Sequence, residues 1–334
     1  MEEPDMIKTN RRQFLATGVG LAAAPMFTYA QTWPSKPIRI VAAYAPGGSI
    51  DAMARWIGKY FETAFNATAV VENLSGAGGR IGTQNVARSA GDGYTLMVTS
   101  SAAHGGAPAV YPRETLGYDP IGQFTHIALI SSAPIALIVR ADSPYKTLAD
   151  LVKDRKQSGK AVLYGSGGIG GLGHLSGEMM GQHLGLRMEH VPYRGSVPAM
   201  QDLLGNSNLD AISDNLSSHM GQVRAGTVRI LAMASEKRFS ELPDVPTFAE
   251  QGYPGVIATS WYGFSGSAGI PPEIVARLNQ AVNTWTQQED VRKFILETAM
   301  TPEGRMSSEE YTKFVESEIA KWTAVVKESG IEVE

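Results

Sequence analysis

Residues 38–65 read IRIVAAYAPGGSIDAMARWIGKYFETAF, and this stretch predicts a buried strand followed by a helix. The continuous apolar run Ile38–Tyr44 is typical of a strand that is covered on both faces. The Pro-Gly-Gly at 46–48 interrupts the run, and Ser49 is the predicted N-cap of the helix. The helix carries apolar residues spaced for one face, namely Ile50, Met53, Ala54, Ile57, Phe61 and Phe65.

The same alternation of strand and helix continues outward from this unit. Further strands are predicted at Ala69–Glu72, Tyr94–Thr99, Ala161–Tyr164, Met188–Val191, Asp210–Ile212 and Val228–Ala234. Helices are predicted from about Ile81 and near 148–157, 172–185, 197–205 and 217–225, with a helical tail at 271–286, 288–299 and 307–328. This alternation predicts an α/β fold with a largely parallel sheet.

Two long apolar runs suggest that the chain passes twice between two lobes. These predicted strands are Ile127–Val139 and Ile257–Phe264, each bounded by Pro, Ser or Gly. The resulting layout has one lobe from 31–130 plus 258–334 and a second lobe from 131–257. A ligand cleft would lie between the two α/β lobes.

Composition excludes several classes of function. The 334 residues include 29 Lys and Arg against 33 Asp and Glu, so the net charge of −4 argues against a nucleic-acid partner. The chain has no cysteine, which excludes disulfides, thiolate metal sites and a cysteine nucleophile. We expect no cofactor, and we expect a monomer.

The first thirty residues are predicted to be an export signal. Arg11 and Arg12 precede Phe14–Phe27, an apolar stretch too short to span a membrane. Small residues around Ala30 fit a cleavage site, and the arginine pair resembles the twin-arginine type of signal. An ordinary signal with an accidental arginine pair is the alternative. Either interpretation places the protein in the periplasm.

Loop 44–51 is the first candidate binding element. It leaves a strand and opens a helix, whose first-turn amides and positive dipole end can hold a carboxylate or phosphate. Gly48 is expected to let a ligand oxygen approach the backbone, in a conformation that a branched residue would not reach easily. The alternative is a tight turn without a ligand.

Loop 164–174, YGSGGIGGLGH, also follows a strand and opens a helix. It matches the dinucleotide fingerprint twice, and Glu189 stands where a ribose-binding acid is expected. An exported NAD(P)-dependent oxidoreductase is therefore the alternative function. A loop so rich in glycine also matches this pattern by chance.

Other enzyme signatures are missing from the sequence. It contains no Gly-x-Ser-x-Gly nucleophile motif and no histidine pair at metal-binding spacing, which leaves a hydrolase unsupported. His174 is interpreted as a hydrogen-bonding residue at a helix end rather than a general base. Arg194 is interpreted as a solvated turn residue. Asp214 would repel a carboxylate, and it suits helix capping, a ligand ammonium or a water network better.

The chain resembles the periplasmic substrate-binding proteins of tripartite tricarboxylate transporters, the Bug or TctC family. The similarity follows the mature sequence through ordered motifs. These are Trp33–Val41, Pro46–Asp51, Val71–Gly79, Asp92–Leu96, His190–Gly195, Leu242–Thr247, Thr259–Gly263 and Pro271–Asn279.

The resemblance implies a two-lobed (Venus flytrap) periplasmic binding protein that closes on a small organic carboxylate. It also implies delivery to the large and small integral-membrane subunits of a transporter, and no enzymatic activity. The residues expected to contact the ligand are Tyr44, Ala45, Gly47, Gly48, Ser49, Ile50, Asp51, Ser100, Ser166, Gly168, Gly170, Gly171, Leu172, His174, Tyr193 and Asp214.

Three sites, one short stretch and two single residues, depart from the polar pattern usual in such proteins. The hydroxyl-rich stretch after Gly170 is Gly171–Gly173 here, Ile50 stands where Thr is common, and Ala107 stands where Asn is common. Lost donors and added aliphatic surface predict a carboxylate with an aromatic or apolar body rather than citrate. The alternative is that Leu172 and Ile50 face the lobe cores.

Overall fold

The computed structural model describes residues 33–205 and 209–331, and a mixed β-sheet forms its centre. The predicted export signal in residues 1–30 lies outside the described residues. Within the described ranges, no helix combines the length and the apolar character needed to cross a membrane.

The strands and helices alternate along most of the chain. The strands are β1 (Ile38–Ala42), β2 (Ala69–Asn73), β3 (Thr95–Ser100), β4 (Phe124–Arg140), β5 (Val162–Ser166), β6 (Met188–Pro192), β7 (Ala211–Asn215), β8 (Val228–Met233), β9 (Thr259–Ser267) and β10 (Thr301–Pro302). The helices are α1 (Ser49–Phe65), α2 (Arg80–Ala87), α3 (Ala107–Val110), α4 (Arg113–Leu116), α5 (Leu148–Ser158), α6 (Leu172–Leu184), α7 (Ser196–Leu204), α8 (Met220–Arg224), α9 (Pro272–Thr286), α10 (Glu289–Glu297) and α11 (Ser308–Ser329).

Strand pairing is parallel at the two flanks of the sheet and antiparallel at its centre. The strand order is β2-β1-β3-β9-β4-β7-β5-β6, and β8 and β10 also pair with β4. β1 runs parallel to β2 and β3, and β5 runs parallel to β6 and β7. β9 runs antiparallel to β3 and β4, and β4 runs antiparallel to β7 and β8. The prediction of a largely parallel sheet is therefore wrong for the centre.

The physical reason is that the chain passes along β4 from one flank of the sheet to the other and returns along β9. β4 pairs with β7 and β8 of the second flank, whereas β9 pairs with β3 of the first flank. A strand that returns beside the strand that carried the chain outward runs antiparallel to it.

β4 is a 17-residue strand that takes part in both flanks of the sheet. Residues 124–134 pair with β9, whereas residues 135–140 pair with β7 and β8. The predicted long strand at Ile127–Val139 is thus present and longer at both ends. The second one, predicted at Ile257–Phe264, is observed as Thr259–Ser267. The lobe boundaries near 130 and 257 remain a prediction.

The apolar face predicted for α1 is buried. Ile50, Met53, Ala54, Ile57 and Phe61 are at most 6% exposed, and removing each large apolar side chain from water contributes about 1.5–3 kcal/mol. Phe65, at the end of the helix, is partly exposed. The helix packs against β1 and β2, so its N-terminus is held beside the carboxyl end of β1.

The last helix, α11, joins two apolar clusters. Tyr311 and Val315 pack with Leu129 and Trp261. About two to three turns after Val315, Trp322 and Val325 belong to a cluster with residues of β4, α5 and α6. The predicted helical tail is therefore present, and its last turns contact residues that the predicted layout assigns to the second lobe.

One local prediction is wrong, and one group of short elements is not predicted. Ser49 is the first residue of α1, and Gly48 is the N-cap, with no side chain capping the helix. The sequence interpretation also lacks the π-helical turn Ala102–Gly106 and the short helices α3 and α4 that follow it. These segments are only four or five residues long, too short for a hydrophobic period to show.

Candidate functional site

A cavity of about 320 Å³ lies where the carboxyl ends of β1, β3, β5 and β7 meet the start of β9. Ligands of open α/β sheets bind at the carboxyl ends of the strands. The residues that line the cavity are Tyr44, Gly48, Ser49, Ile50, Ser100, Ser101, Ala102, Gly167, Gly171, Leu172, Gly173, Asp214, Asn215, Ser260 and Tyr262.

The N-termini of α1 and α6 both open into this cavity. Gly48 and Gly171 are their N-caps, and neither helix has a side-chain cap. The first-turn amides of a helix lack partners within the helix and carry its positive dipole end. Since Ser49 and Ile50 line the cavity on one side and Leu172 and Gly173 on the other, two donor sets face one space.

The loop before α1 is held by Asp51, which lies behind it rather than in the cavity. The Asp51 carboxylate accepts hydrogen bonds from the amide of Gly47 at 2.9 Å and from Asn73 Nδ2 at 2.9 Å. It also forms an ion pair with Arg55 at 2.9 Å. The hydrogen bond from Arg55 is the main reason that the pKa of Asp51 falls to about 2. Its charge is thus already balanced by protein groups.

Glycine conformation in this loop differs from the prediction. Gly47 has φ +88°, which L side chains rarely adopt, whereas Gly48 has φ −83°, which any residue can adopt. A Cβ on Gly48 would meet only the carbonyl oxygen of Ala45, at 3.8 Å. The expectation that a branched residue cannot reach the backbone conformation of Gly48 is therefore wrong. Gly48 nevertheless lines the cavity.

The loop before α6 uses glycine for close packing. Gly168 and Gly170 have positive φ values, of 138° and 71°. A Cβ on Gly173 would lie 2.3 Å from the carbonyl oxygen of Ser213 and 2.9 Å from Cβ of Ser166. The first turn of α6 can therefore approach the ends of β5 and β7 only because position 173 has no side chain.

Hydroxyl groups line the wall formed by β1, β3 and β9. Burial is the main reason that the pKa values of Tyr44 and Tyr262 are raised, so both phenols stay protonated and can donate. Tyr44 donates to the carbonyl oxygen of Gly78 at 2.9 Å. The hydroxyls of Ser101 and Ser260 lie 3.3 Å apart, and they connect β9 to the residue after β3.

Asp214 is the charged side chain among the lining residues. Its Oδ1 accepts the amide hydrogen of Asn215 at 2.7 Å, and its Oδ2 lies 3.2 Å from His219 Nε2. Asp214 is 6% exposed and His219 is 1% exposed. Asp214 therefore faces the cavity at the end of β7, held in place by two donors.

The three positions that depart from the usual polar pattern have different surroundings. Ile50 and Leu172 line the cavity, although Leu172 also belongs to an apolar cluster with Leu175. Ala107 does not line it and packs in a cluster with Val41 and Met97. The inference that Ala107 removes a donor from the ligand is therefore unsupported, whereas Ile50 and Leu172 are at the cavity.

Half of the predicted contact residues line the cavity. These are Tyr44, Gly48, Ser49, Ile50, Ser100, Gly171, Leu172 and Asp214. The others do not line it in this conformation, namely Ala45, Gly47, Asp51, Ser166, Gly168, Gly170, His174 and Tyr193.

Several residues of the second group are engaged elsewhere. His174 stacks on His190 with ring centroids 3.9 Å apart, and His174 Nδ1 accepts the amide hydrogen of Gly170 at 3.0 Å. Burial lowers the pKa of His174. The Ser166 hydroxyl lies 2.7 Å from His190 Nε2, and the Tyr193 hydroxyl donates to Asp202. The interpretation of His174 as a helix-end hydrogen-bonding residue agrees with these contacts.

Seven lining residues were not predicted: Ser101, Ala102, Gly167, Gly173, Asn215, Ser260 and Tyr262. Some signal was present, because Ser260 lies in the Thr259–Gly263 motif and Asn215 follows Asp214. The structure brings β9 between β3 and β4, which places Ser260 and Tyr262 at the cavity. Among the described residues, no group of three or more His, Asp or Glu side chains could hold a metal ion.

This chain is similar to known proteins over most of its length. A family model described as "Tripartite tricarboxylate transporter family receptor" matches residues 53–331. Protein BugT of Bordetella pertussis is 32% identical over 318 residues, which are 95% of this chain and 95% of that protein.

Solved structures of related proteins are also similar to this chain over most of its length. An R. palustris protein with adipate has a TM-score of 0.76 at 33% identity, over 90% of this chain and 99% of that one. MatC from Rhodopseudomonas palustris with bound malate has a TM-score of 0.72 at 30% identity, over 88% of this chain and 99% of that one.

Proposed function

Since this chain belongs to the tripartite tricarboxylate transporter (TctC/Bug) family of periplasmic solute-binding receptors, we propose that it captures a small organic carboxylate in the cavity between α1 and α6 and delivers it to membrane subunits. The family consists of receptors rather than enzymes, which removes the oxidoreductase and hydrolase alternatives. Relatives of similar length were solved with adipate and with malate.

The observation that carries this proposal is the pair of uncapped helix N-termini. Gly48 and Gly171 begin α1 and α6 at one cavity, so backbone amides from two helices converge on the same space. Each N-terminus is equivalent to about half a positive charge. A carboxylate can therefore be held by backbone donors and neighbouring hydroxyls, although no Lys or Arg is among the lining residues.

Binding is proposed to close two lobes on the ligand. Lobe 1 comprises residues 31–130 and 258–334, and lobe 2 comprises residues 131–257. The α1 loop then comes from one lobe and the α6 loop from the other. A ligand that contacts both loops stabilises the closed state by the contacts it makes only there.

The body of the ligand is proposed to be apolar or aromatic. Ile50, Leu172 and Ala102 contribute aliphatic surface to the cavity lining. Burying apolar ligand surface against them contributes about 25 cal/mol per Å². A citrate in the same place would leave polar groups without partners, at about 1–3 kcal/mol each.

Export to the periplasm is proposed to depend on the amino-terminal signal, which is cleaved near Ala30. The mature receptor is proposed to be a monomer. Its proposed partners are the large and small membrane subunits of a transporter. Arg11 and Arg12 are the residues that would select the twin-arginine route. Replacing both by Lys should then leave the protein in the cytoplasmic fraction. Unchanged recovery of the variant from the periplasm would indicate the general export route instead.

The decisive experiment is a binding panel on the purified mature protein. Citrate, malate and glutamate are compared with benzoate, phthalate and nicotinate, first by thermal shift and then by calorimetry. A ligand at 100 times its Kd raises the free energy of unfolding by about 2.7 kcal/mol, so the melting temperature rises. We expect the largest rise with an aromatic or apolar-bodied acid.

The panel separates the two parts of the proposal. Tight citrate binding with no response to any aromatic acid would overturn the apolar body and leave the receptor function intact. If no carboxylate raises the melting temperature or binds in calorimetry, the proposal that this protein is a carboxylate receptor is overturned. NAD and NADP serve as controls and should leave the melting temperature unchanged.

A further inference from the structure

The wall of the cavity at the end of β7 presents hydrogen-bond acceptors. Asp214 lines the cavity with both carboxylate oxygens already held, one by the Asn215 amide at 2.7 Å and the other near His219 Nε2 at 3.2 Å. A carboxylate has about four acceptor positions, so Asp214 can accept further hydrogen bonds from a ligand.

A second acceptor on this wall lacks a partner. Asn215 Oδ1 is buried and has no hydrogen-bond partner among the described residues, and Asn215 itself lines the cavity. A buried acceptor without a partner costs about 1–3 kcal/mol. Because Oδ1 has almost no accessible surface, a donor on the ligand would satisfy it only after the Asn215 side chain rotates towards the cavity, and a second carboxylate on the ligand would not satisfy it.

Charge balance in the cavity points the same way. The two helix N-termini contribute about half a positive charge each, which together offset the single charge of Asp214. A dicarboxylate would then bring two uncompensated negative charges into the cavity, and a simple monocarboxylate would bring one. A ligand that carries one carboxylate and one ammonium leaves the cavity neutral, which avoids the cost of burying unpaired charge.

We propose that the ligand carries an amino group received by Asp214 and Asn215, so that the receptor prefers zwitterionic monocarboxylates to dicarboxylates. This inference rests on the proposed function of the same cavity, and it concerns the second polar group of the ligand. The helix N-termini hold the carboxylate, and the end of β7 holds the amino group.

The test uses ligands that share a skeleton and differ in one group. The aliphatic set is valerate, norvaline, δ-aminovalerate, δ-hydroxyvalerate and adipate. The aromatic set is para-toluate with its para-aminomethyl, para-hydroxymethyl and para-carboxymethyl counterparts. Calorimetry on the full-length mature protein should show, in at least one set, an amino ligand binding at least tenfold more tightly than both the parent acid and the dicarboxylate.

The variant Asp214→Asn removes the charge and keeps the size of the side chain. It should weaken binding of the amino ligand at least tenfold, whereas the parent acid should bind at least as tightly as before, because its carboxylate no longer shares the cavity with the charge of Asp214. Asp244→Asn is the matched control, because Asp244 is exposed and does not line the cavity. It should leave every affinity unchanged. Melting curves verify that both variants fold, and the ligand sets on the unmodified protein test the proposal independently of any variant.

Each contrary outcome has a distinct meaning. Tightest binding by adipate or the para-carboxymethyl acid overturns the amino group and leaves the carboxylate receptor standing. A hydroxy ligand that binds as tightly as the amino ligand overturns the requirement for a positive charge. If no acid in either set binds, the proposed function of the cavity fails together with this inference.

Discussion

Asp51 shapes the binding loop without touching the cavity. It joins the amide of Gly47, Asn73 and the guanidinium of Arg55 around one carboxylate that is 5% exposed. These bonds depend on the ionised form, and they hold the pKa of Asp51 at about 2. A group whose pKa is depressed on folding adds stability above its unfolded pKa, and that stability is lost as the pH falls through the folded pKa.

The variant Asp51→Asn should therefore lose stability in a pH-dependent way. We expect a lower melting temperature than wild type at pH 7, with the gap narrowing as the pH falls from about 4 to about 2. Thermal denaturation across this range measures it. Asp244→Asn is the control, and its difference from wild type should not narrow in this window. A constant gap for Asp51→Asn would show that the carboxylate charge adds nothing to the loop.

Gly48 is the cavity-lining residue where added volume should affect binding more than folding. Its φ of −83° suits any residue, and the space around a Cβ holds only the Ala45 carbonyl oxygen at 3.8 Å. We expect Gly48→Val to fold normally and to weaken carboxylate binding at least tenfold, because its methyl groups occupy cavity space beside the α1 amides. Gly48→Ala should have a smaller effect. Unchanged calorimetric affinity in a folded Gly48→Val protein would mean that the loop is only a turn.

At the scale of elements, α6 reaches the cavity because two glycines remove side chains from its inner face. A Cβ on Gly173 would collide with Ser213, and a Cβ on Gly177 would lie 2.1 Å from the ring of Tyr164. The helix therefore packs directly on β5 and β7, and its N-terminus points into the cavity. The close packing of α6 on the sheet therefore determines where its first-turn amides lie in the cavity.

Gly173→Ala tests this coupling. The Cβ would lie 2.3 Å from the Ser213 carbonyl oxygen, so α6 must move or strain. We expect a loss of about 1–3 kcal/mol in the free energy of unfolding, together with weaker ligand binding. Urea denaturation and calorimetry measure the two effects. The control is Gly221→Ala in α8, where no neighbouring atom lies within 4 Å and the change should be neutral or slightly stabilising. Equal behaviour of the two variants would contradict the close packing of α6.

At the scale of the whole molecule, the chain has the two-lobed α/β architecture of its family, and its C-terminal helices are part of the core. Trp285 of α9 and Trp322 of α11 are fully buried. Trp261 of β9, next to the cavity residues Ser260 and Tyr262, donates from Nε1 to buried Glu318 of α11 at 3.2 Å. The tail therefore supports the strand that forms one wall of the cavity.

Truncation after Gly263 removes the end of β9 and all three C-terminal helices. We expect an insoluble or molten product, since large apolar surfaces on β4 and β9 would be exposed to water. Circular dichroism melting and a ligand thermal shift, run beside the full chain, measure the outcome. A soluble truncated protein that melts cooperatively and binds a carboxylate would refute the proposed assignment of residues 258–334 to the first lobe.

Local patterns in the sequence determined the elements and the family. The run Ile38–Tyr44 and the one-sided apolar spacing of α1 are contained within a few turns of chain, so the strand and helix follow from short-range physics. The glycine loops at the helix starts were recognisable for the same reason. The ordered motifs likewise identified the family, which the family model and BugT confirm.

Only the tertiary structure decided which residues share the cavity. The antiparallel insertion of β9 between β3 and β4 brings Ser260 and Tyr262 beside Ser100, across about 160 residues of chain. The turn of Asp51 towards Arg55 and the stacking of His174 on His190 direct both side chains away from the cavity lining. Such contacts depend on strand order, packing and competing partners distant in sequence, and no local period or spacing encodes them.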